Sequence, residues 1–491
     1  MNPPQLAVVS NRLPVRLAKD DDGQWTLAHG AGGLVTAMAP VLRNRGGSWV
    51  GWNGLATEED VTSLFEAFSK QAGYALYPVQ LTPEQEQGFY AGFSNEILWP
   101  LFHDLPTRCN FYKPDYWRHY REVNQLFAET IAANLPSSTF CWIHDYHLML
   151  VAGMLRKADP ARRCGFFLHI PFPPPDNFLK LPWRKELLLS LMEHELVAFH
   201  TLRDRRNFEA CLRSLLPKAT VRGRGAIVQA RHEGHAVRLG AIPISIDYKS
   251  FTHTAGLPQV KEAARALADA YEHRTLILGV DRLDYTKGIP ERLEALRLAL
   301  QQHPELLGKI SFIQILVPSR EDVTEYRLLK MEIEQLVGEI NGQFATPGWS
   351  PIHYQYRNLP REELVAYYVA AHIMYVTPLR DGMNLVAKEY CACRRTNTGV
   401  LILSEFAGAA AQLQRDGAVL VNPFDIQGMA NALHMACLMP IAEQKRRMQH
   451  MRETIRKHDI YFWCDTFLNT AFALKLADIP QMEDVQFHEL G

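Results

Sequence analysis

The sequence predicts an α/β protein made of two doubly wound domains, and three observations carry that prediction. A chain of 491 residues is longer than one hydrophobic core serves, so two or three domains are expected. Short apolar runs alternate with longer amphipathic stretches from residue 6 onward, the strand and helix rhythm of a parallel sheet. That rhythm pauses at residues 243–251 and restarts, and in both halves the polar motifs fall at the carboxyl ends of the strands, the ligand edge of an open α/β sheet. Two Rossmann-like domains facing a ligand cleft follow.

Composition narrows the partners. The chain is 47% hydrophobic and 21% charged, with Gly 30 and Pro 29, which is ordinary for a globular enzyme and argues against disorder or a fibrous repeat. Lys+Arg 52 against Asp+Glu 53 leave a net charge of −1. Neither nucleic acid nor a membrane surface is therefore expected, and small-molecule substrates are; a homo-oligomer stays open. No apolar run approaches the ~20 residues of a membrane span, and Met1-Asn2-Pro3-Pro4 leads into a strand instead of a signal peptide, so a cytoplasmic location is expected. The eight cysteines are scattered. Cys391 and Cys393 are the one close pair and point in different directions on a predicted helix, so reduced, buried thiols are expected and a Cys/His zinc site is not.

In the first half, residues 6–10 are a buried strand whose following loop carries Arg12. A hairpin comes next with Asp20-Asp21-Asp22-Gly23 at its tip; the DxD spacing formally suits a metal, and a DDG turn explains it more economically. Gly30-Ala31-Gly32-Gly33 opens a helix over 35–43 and allows close backbone approach to a ligand. Residues 48–52 form a short strand. Within residues 90–102, Tyr90 and Trp99 suit the wall of a carbohydrate pocket, although a lone Trp or Tyr is more often core. A helix over 117–134 precedes the strand 139–143, which ends in His144-Asp145-Tyr146-His147. After a helix over 149–157 comes the strand 164–168, which ends at His169 and places it beside Asp145 if the two strands are neighbours. A strand at 197–200, a helix over 207–215 and a strand at 237–242 complete a parallel first half.

The second half restarts with a helix over 259–271, a strand at 275–280 and the loop Asp281-Arg282-Leu283-Asp284-Tyr285-Thr286-Lys287-Gly288. Arg282 and Lys287, fixed around one turn, suit a diphosphate held without a metal; solvated surface cations are the plainer reading. A strand at 309–317 ends in Pro318-Ser319-Arg320, and a helix over 322–340, a strand at 352–356 and a helix over 361–371 follow. The apolar run 371–376 then meets Pro378-Leu379-Arg380-Asp381-Gly382-Met383-Asn384. Pro378 stops the strand, Gly382 permits a positive φ, and Asn384 caps a helix through Glu389 to Cys393. The amides of Leu385 and Val386 are anion donors there, and Asp381 and Glu389 accept from hydroxyls, a combination suited to a sugar nucleotide. An ordinary strand–loop–helix junction has the same spacing. A strand at 399–403 and a late helix over 463–475, read as crossing back to the first half, finish the chain. The expected domains are 1–245, 246–460 and a returning helical segment 461–491.

Taken together the motifs VVSNR, GFSN-x-x-LWP, HDYHL, FFLHIPFP, RLDY-x-KG, PSR-x-DV and TPLRDGMNLVAKEY make the chain resemble the trehalose-6-phosphate synthases, retaining two-domain glycosyltransferases of GT-B type in glycosyltransferase family 20. The resemblance implies a retaining transfer of glucose from UDP-glucose to glucose 6-phosphate, with no cofactor and no metal. It assigns Gly32, Gly33, Arg282, Lys287, Leu385, Val386, Ala387, Lys388 and Glu389 to the donor, and Asp381 and His169, with Arg282 and Lys287, to catalysis. Arg12, Tyr90, Trp99, Asp145 and Arg320 fall to the acceptor, the two arginines to its phosphate. Pro243-Ile244-Ser245-Ile246-Asp247 and Leu181-Pro182-Trp183-Arg184 depart from the family's usual PIGID and LPVR. A glucosylglycerol-phosphate synthase and a catalytically silent regulatory homologue are the alternatives.

Overall fold

Apolar runs become strands and the amphipathic stretches become helices in a computed structural model that describes residues 5–19, 24–30, 33–54, 62–272, 274–320 and 323–473. Two compact units result: one runs to Pro243 and takes in the chain again from Trp463, and the other spans Ile244–Phe462.

In the first unit the strands in chain order are β1 (Leu6–Arg12), β2 (Val15–Lys19), β3 (Trp25–His29), β4 (Ser48–Trp52), β5 (Ala75–Val79), β6 (Phe140–His144), β7 (Cys164–Phe167), β8 (Leu196–Phe199), β9 (Thr220–Arg222), β10 (Ile227–His232) and β11 (His235–Ala241). Nine of them form one sheet in the order β5-β4-β1-β6-β7-β8-β11-β10-β9, and β2 and β3 pair as a separate hairpin. From β5 to β11 every pairing is parallel. The expectation of a wholly parallel half is corrected at the edge, where β11, β10 and β9 run antiparallel. β9 is the edge strand and β10 lies next to it; Gln229 and His232 on β10 are half-buried polar residues and Arg231 is exposed, so no apolar run announced it.

The end of β1 is set by close packing. Asn11 and Arg12 continue the strand instead of starting a loop, and the register with β4 shifts between Val9 and Arg12. A Cβ on Gly51 of β4 would lie 2.7 Å from the Leu13 nitrogen, so only glycine lets the two backbones approach this closely. Trp49 Nε1 donates to Ser10 Oγ at 2.7 Å, and Ser10 Oγ donates to the Arg12 carbonyl at 2.7 Å.

Residues 86–98 form a π-helix of 13 residues, continued by Trp99–Phe102. The Trp99 N–H reaches the Ser94 carbonyl, five residues back. Gly88 and Gly92 face helix Pro114–Asn134, and a Cβ on either would lie 2.4 Å from His119 or 2.6 Å from Tyr116. Only glycine at these two positions leaves room for the His119 and Tyr116 rings.

The last helix, Ile460–Phe472, joins the first unit's core from Trp463 onward. Phe467 stacks on Trp142 of β6 at 4.1 Å between centroids, Trp463 lies 4.8 Å from the same ring, and Phe472 meets Phe140 at 4.8 Å.

The second unit holds β12 (Thr275–Arg282), β13 (Ile310–Val317), β14 (Ile352–Tyr356), β15 (Ile373–Val376), β16 (Val400–Ser404) and β17 (Val419–Val421). Their order is β14-β13-β12-β15-β16-β17, all parallel. The order turns back between β12 and β15, which makes the carboxyl ends of those two strands the switch point. Beneath it Arg292 is wholly buried, bonded to Asp281 at 2.6 Å, Thr377 at 3.0 Å and Gln314 at 3.0 Å. Each partner accepts from a guanidinium that would otherwise be prohibitively desolvated. No described helix is long and apolar enough to cross a membrane.

Candidate active site

At the switch point of the second unit, β12 leads through Asp284 and the one-turn helix Tyr285–Lys287 into helix Ile289–Gln302. Gly288 stands at φ 61°, and a Cβ there would lie 2.2 Å from the Thr377 carbonyl. Only glycine closes this turn. Lys287, so positioned, gives its ammonium to Asp381 Oδ2 at 2.6 Å, both side chains being largely buried. Asp381 Oδ2 also accepts from Asn384 Nδ2 at 3.2 Å, and Asn384 Oδ1 caps helix Leu385–Cys393 by accepting the Ala387 N–H at 3.2 Å. Asn384 itself is left-handed (φ 70°), a conformation asparagine tolerates better than most residues.

Asp284 is buried and accepts from the Thr286 N–H at 2.9 Å and the Thr286 hydroxyl at 2.8 Å. Burial would push its carboxyl up, but Arg320, Lys287 and Arg282 outweigh that and hold it below the usual range. Arg320, left-handed at φ 49°, donates to the Tyr326 hydroxyl, which lies 3.5 Å from Asp284 Oδ2. Three cations thus stand against the carboxylates of Asp284 and Asp381. The surplus positive charge, with the helix start at Leu385 whose first amides have no intrahelical partner, is the chemistry of an anion site. Further along that helix Glu389 accepts from the Tyr368 hydroxyl at 2.9 Å, and burial raises its carboxyl.

The first unit carries a second cluster at the ends of β1, β4 and β6. The Arg12 guanidinium lies 4.1 Å from the Trp52 ring centroid and 5.4 Å from that of Tyr90, and donates to the Gly54 carbonyl at 3.0 Å. Tyr90 in turn stacks on His147 at 5.9 Å. Trp99 is only 5% exposed, with His103 against it at 4.3 Å and Tyr146 at 5.8 Å. Asp145 adopts φ 75° and accepts the His169 N–H at 3.2 Å, which puts the ends of β6 and β7 side by side. His144 Nδ1 and His169 Nε2 are 3.0 Å apart. Burial lowers both imidazoles, His169 to about 3 and His144 well below its usual value, with His169 a further cause at His144. Both rings are therefore neutral at physiological pH, and His169 is a hydrogen-bonding group instead of a cation.

A family model described as Glycosyltransferase family 20 matches residues 4–472. The chain belongs to glycosyltransferase family 20. It is 42% identical over 478 residues to a trehalose-6-phosphate synthase of Mycobacterium leprae, covering 96% of this chain and 94% of that one. Among solved structures it is similar to a UDP-forming α,α-trehalose-phosphate synthase of Burkholderia xenovorans in complex with glucose-6-phosphate, at TM-score 0.85 and 34% identity over 96% and 100% of the two chains. An E. coli trehalose-6-phosphate structure bound with UDP-2-fluoro glucose matches at TM-score 0.86 and 36% identity over 96% and 99%.

For this family-20 chain, the residues expected at the donor divide three ways. Arg282, Lys287, Asp381 and the Leu385–Val386 amides come together in one cluster, with Glu389 one helical turn beyond. Lys388 does not: its ammonium is buried and donates to the Ile244 carbonyl at 2.8 Å and to Gln412 Oε1 at 2.7 Å, where desolvation lowers it to about 7. Likewise the Ala387 N–H is committed to Asn384. Gly33 begins helix Gly33–Arg45, whereas Gly32 and Asp20, Asp21 and Asp22 lie outside the described residues. Of the acceptor residues, Arg12 and Asp145 stand at strand ends of the first unit, Tyr90 and Trp99 lie on the helical stretch 86–102 of the same unit, and Arg320 sits beside Asp284 in the second. Motif reading passed over Trp52, Thr286, Tyr326 and Tyr368. Trp52 had a visible signal, an aromatic at a strand's carboxyl end; the others needed the fold. The departure at Trp183 is a packing choice, stacked on Trp117 at 5.1 Å and edge-on to Phe93 at 5.4 Å. Ser245 is buried, and its hydroxyl has no partner among the described residues.

Proposed function

We propose that this chain transfers glucose from UDP-glucose to glucose 6-phosphate with retention, giving α,α-trehalose 6-phosphate and UDP. The observation that carries the reading is whole-length similarity to synthases of that name, whose solved relatives hold UDP-2-fluoro glucose and glucose 6-phosphate. The local geometry supports it. Arg282, Lys287 and the amides of Leu385 and Val386 take the diphosphate, and Glu389 the ribose. Asp381 and His169 hold hydroxyls of the transferred glucose. Because Asp381 is already engaged by Lys287 and Asn384, it serves to position the sugar and not as a covalent nucleophile. The acceptor hydroxyl then attacks on the face from which diphosphate leaves, a leaving-group oxygen takes its proton, and the protein supplies orientation and stabilises the developing charge. Arg12 and Arg320 are assigned to acceptor phosphate, and Tyr90, Trp99 and Asp145 to the hexose. The fixed cations do the work a metal would otherwise do, so no metal takes part in transfer.

Incubation with UDP-glucose and glucose 6-phosphate, read by UDP release and by the anomeric proton couplings of the product, tests the reading. Formation of the α,α-linked phosphodisaccharide is the expected result. Equal or better turnover on glycerol 3-phosphate would replace it with the glucosylglycerol-phosphate reaction, and no UDP release on either acceptor would favour the silent homologue.

A further inference from the structure

The imidazoles of His303 and His434 lie face to face in the second unit, ring centroids 3.6 Å apart and planes 6° from parallel, and both look onto one carboxylate. Glu305 Oε1 is 2.9 Å from His434 Nε2 and 3.5 Å from His303 Nδ1, and the three donor atoms lie within 4.8 Å of one another. His303 follows helix Ile289–Gln302, Glu305 sits in the single turn Pro304–Leu306, and His434 projects from helix Ile426–Leu438. The proposed transfer uses none of them.

The scaffold under these groups is already tied. Gln302 and Gln427 exchange side-chain amide hydrogen bonds of 2.8 and 2.7 Å between the same two helices, and Gln427 also donates to Asn431 at 3.0 Å. The turn that carries Glu305 is closed by the Leu306 N–H on the His303 carbonyl at 2.9 Å and the Leu307 N–H on the Pro304 carbonyl at 3.1 Å. The three ligand-bearing positions are thereby held near one another without an ion.

We propose that His303, Glu305 and His434 bind a divalent transition metal that clasps helix Ile289–Gln302 to helix Ile426–Leu438. Two imidazole nitrogens and one carboxylate oxygen form a borderline donor set, which selects zinc, nickel, copper or cobalt over magnesium and calcium. A tetrahedral ion with bonds of about 2.0–2.1 Å sets its ligand atoms roughly 3.3 Å apart, and the two separations to Glu305 Oε1 bracket that value. The ion must lie near the plane of each imidazole, so one ring rotates out of the stack as it enters. Each histidine side chain is 23% exposed, which leaves room for that rotation and opens the fourth position to water.

The untagged full-length chain, stripped of metal, is titrated with zinc chloride by calorimetry, and thermal unfolding is followed with and without zinc. One equivalent of zinc and a raised midpoint are expected in the wild type. His303→Ala and His434→Ala should each weaken binding by at least roughly tenfold, the scale on which even outer ligand contacts matter, while basal turnover is unchanged. Cobalt in place of zinc should give the visible absorption of a tetrahedral site, and Glu305→Gln should alter that spectrum. A wild type that takes up no zinc overturns the proposal. So does uptake that all three variants retain, the pattern expected if the half-buried thiols of Cys109 or Cys437 were the ligands.

Discussion

Replacing Lys287 by methionine is the perturbation that bears most directly on the proposed donor site. Its ammonium stands 2.6 Å from Asp381 Oδ2, with side-chain exposures of 10% and 14%. At an effective dielectric near 20 the attraction at that distance is about 6 kcal/mol, while desolvating two ions costs several kcal/mol each. The intact pair is therefore close to neutral for stability. Removing one partner is another matter, because Asp381 would remain buried and charged, at a cost of about 3–5 kcal/mol. Asn384 Nδ2 still donates to the same oxygen at 3.2 Å, which places the loss toward the lower end. The double variant Lys287→Met with Asp381→Asn removes both charges and should recover most of the lost stability. Catalysis should follow a different pattern: kcat falls by roughly 10²-fold or more in Lys287→Met, the scale of one lost contact to developing charge, and the double variant does not restore it. Chemical unfolding by circular dichroism and steady-state UDP release measure the two effects. A double variant as destabilised as the sum of the singles would refute the coupling, and near-normal kcat in Lys287→Met would remove the lysine from the diphosphate site.

Three further outcomes are expected. Glucose 6-phosphate should exceed glycerol 3-phosphate in kcat/KM; Arg320→Ala should raise the acceptor KM by roughly tenfold or more while leaving the donor KM nearly unchanged, as for a lost charge-assisted hydrogen bond, and Asp145→Ala should erase much of the acceptor preference. A donor KM that rises in parallel would move Arg320 to the diphosphate. Turnover should persist in EDTA; its loss, with recovery on added magnesium or manganese, would return attention to Asp20, Asp21 and Asp22. Lys388 supplies a pH signature: burial lowers its ammonium from 10.5 to about 7 in the folded chain. Between those values the unfolded chain binds more protons, so stability rises with pH; below about 7 both states are protonated and the full penalty of burying the charge applies. The stability of the wild type relative to Lys388→Met should therefore climb by a few kcal/mol from pH 7 to 10, at about 1.4 kcal/mol per unit. A difference that stays flat across that range would mean the lysine titrates normally.

Strand ends were readable because a buried parallel strand is a run of apolar residues, and a polar motif after it has to lie at the sheet edge. Lys287 and Asp381 were legible on those terms, each flanked by a turn that its own residues announce. What escaped depended on packing at a distance. Asp281 and Arg282 extend β12 because β13 pairs with them residue for residue, which a local change from apolar to charged does not reveal. Lys388 shares a motif with residues proposed to hold the donor, yet its place on the helix buries it against Ile244 and Gln412. The π-helix over 86–98 has ordinary helical composition, and only the rings of Tyr116 and His119 make its glycines meaningful. β9, at the sheet edge, is only three residues long, and β10 beside it carries Gln229, Arg231 and His232, so neither shows an apolar run.

The placement of the last helix has a consequence for biogenesis. Trp142 and Phe140 belong to central strand β6, yet the rings that cover them, Trp463, Phe467 and Phe472, leave the ribosome more than three hundred residues later. At about 5–20 residues per second, synthesis of residues 244–472 takes roughly 10–50 s, long enough for the contiguous second unit to fold while the earlier one still shows a bare aromatic face. The first unit to emerge is thus the last to be finished. A nascent chain stalled or cleaved before Trp463 would offer that face to chaperones, and in their absence to other copies of itself.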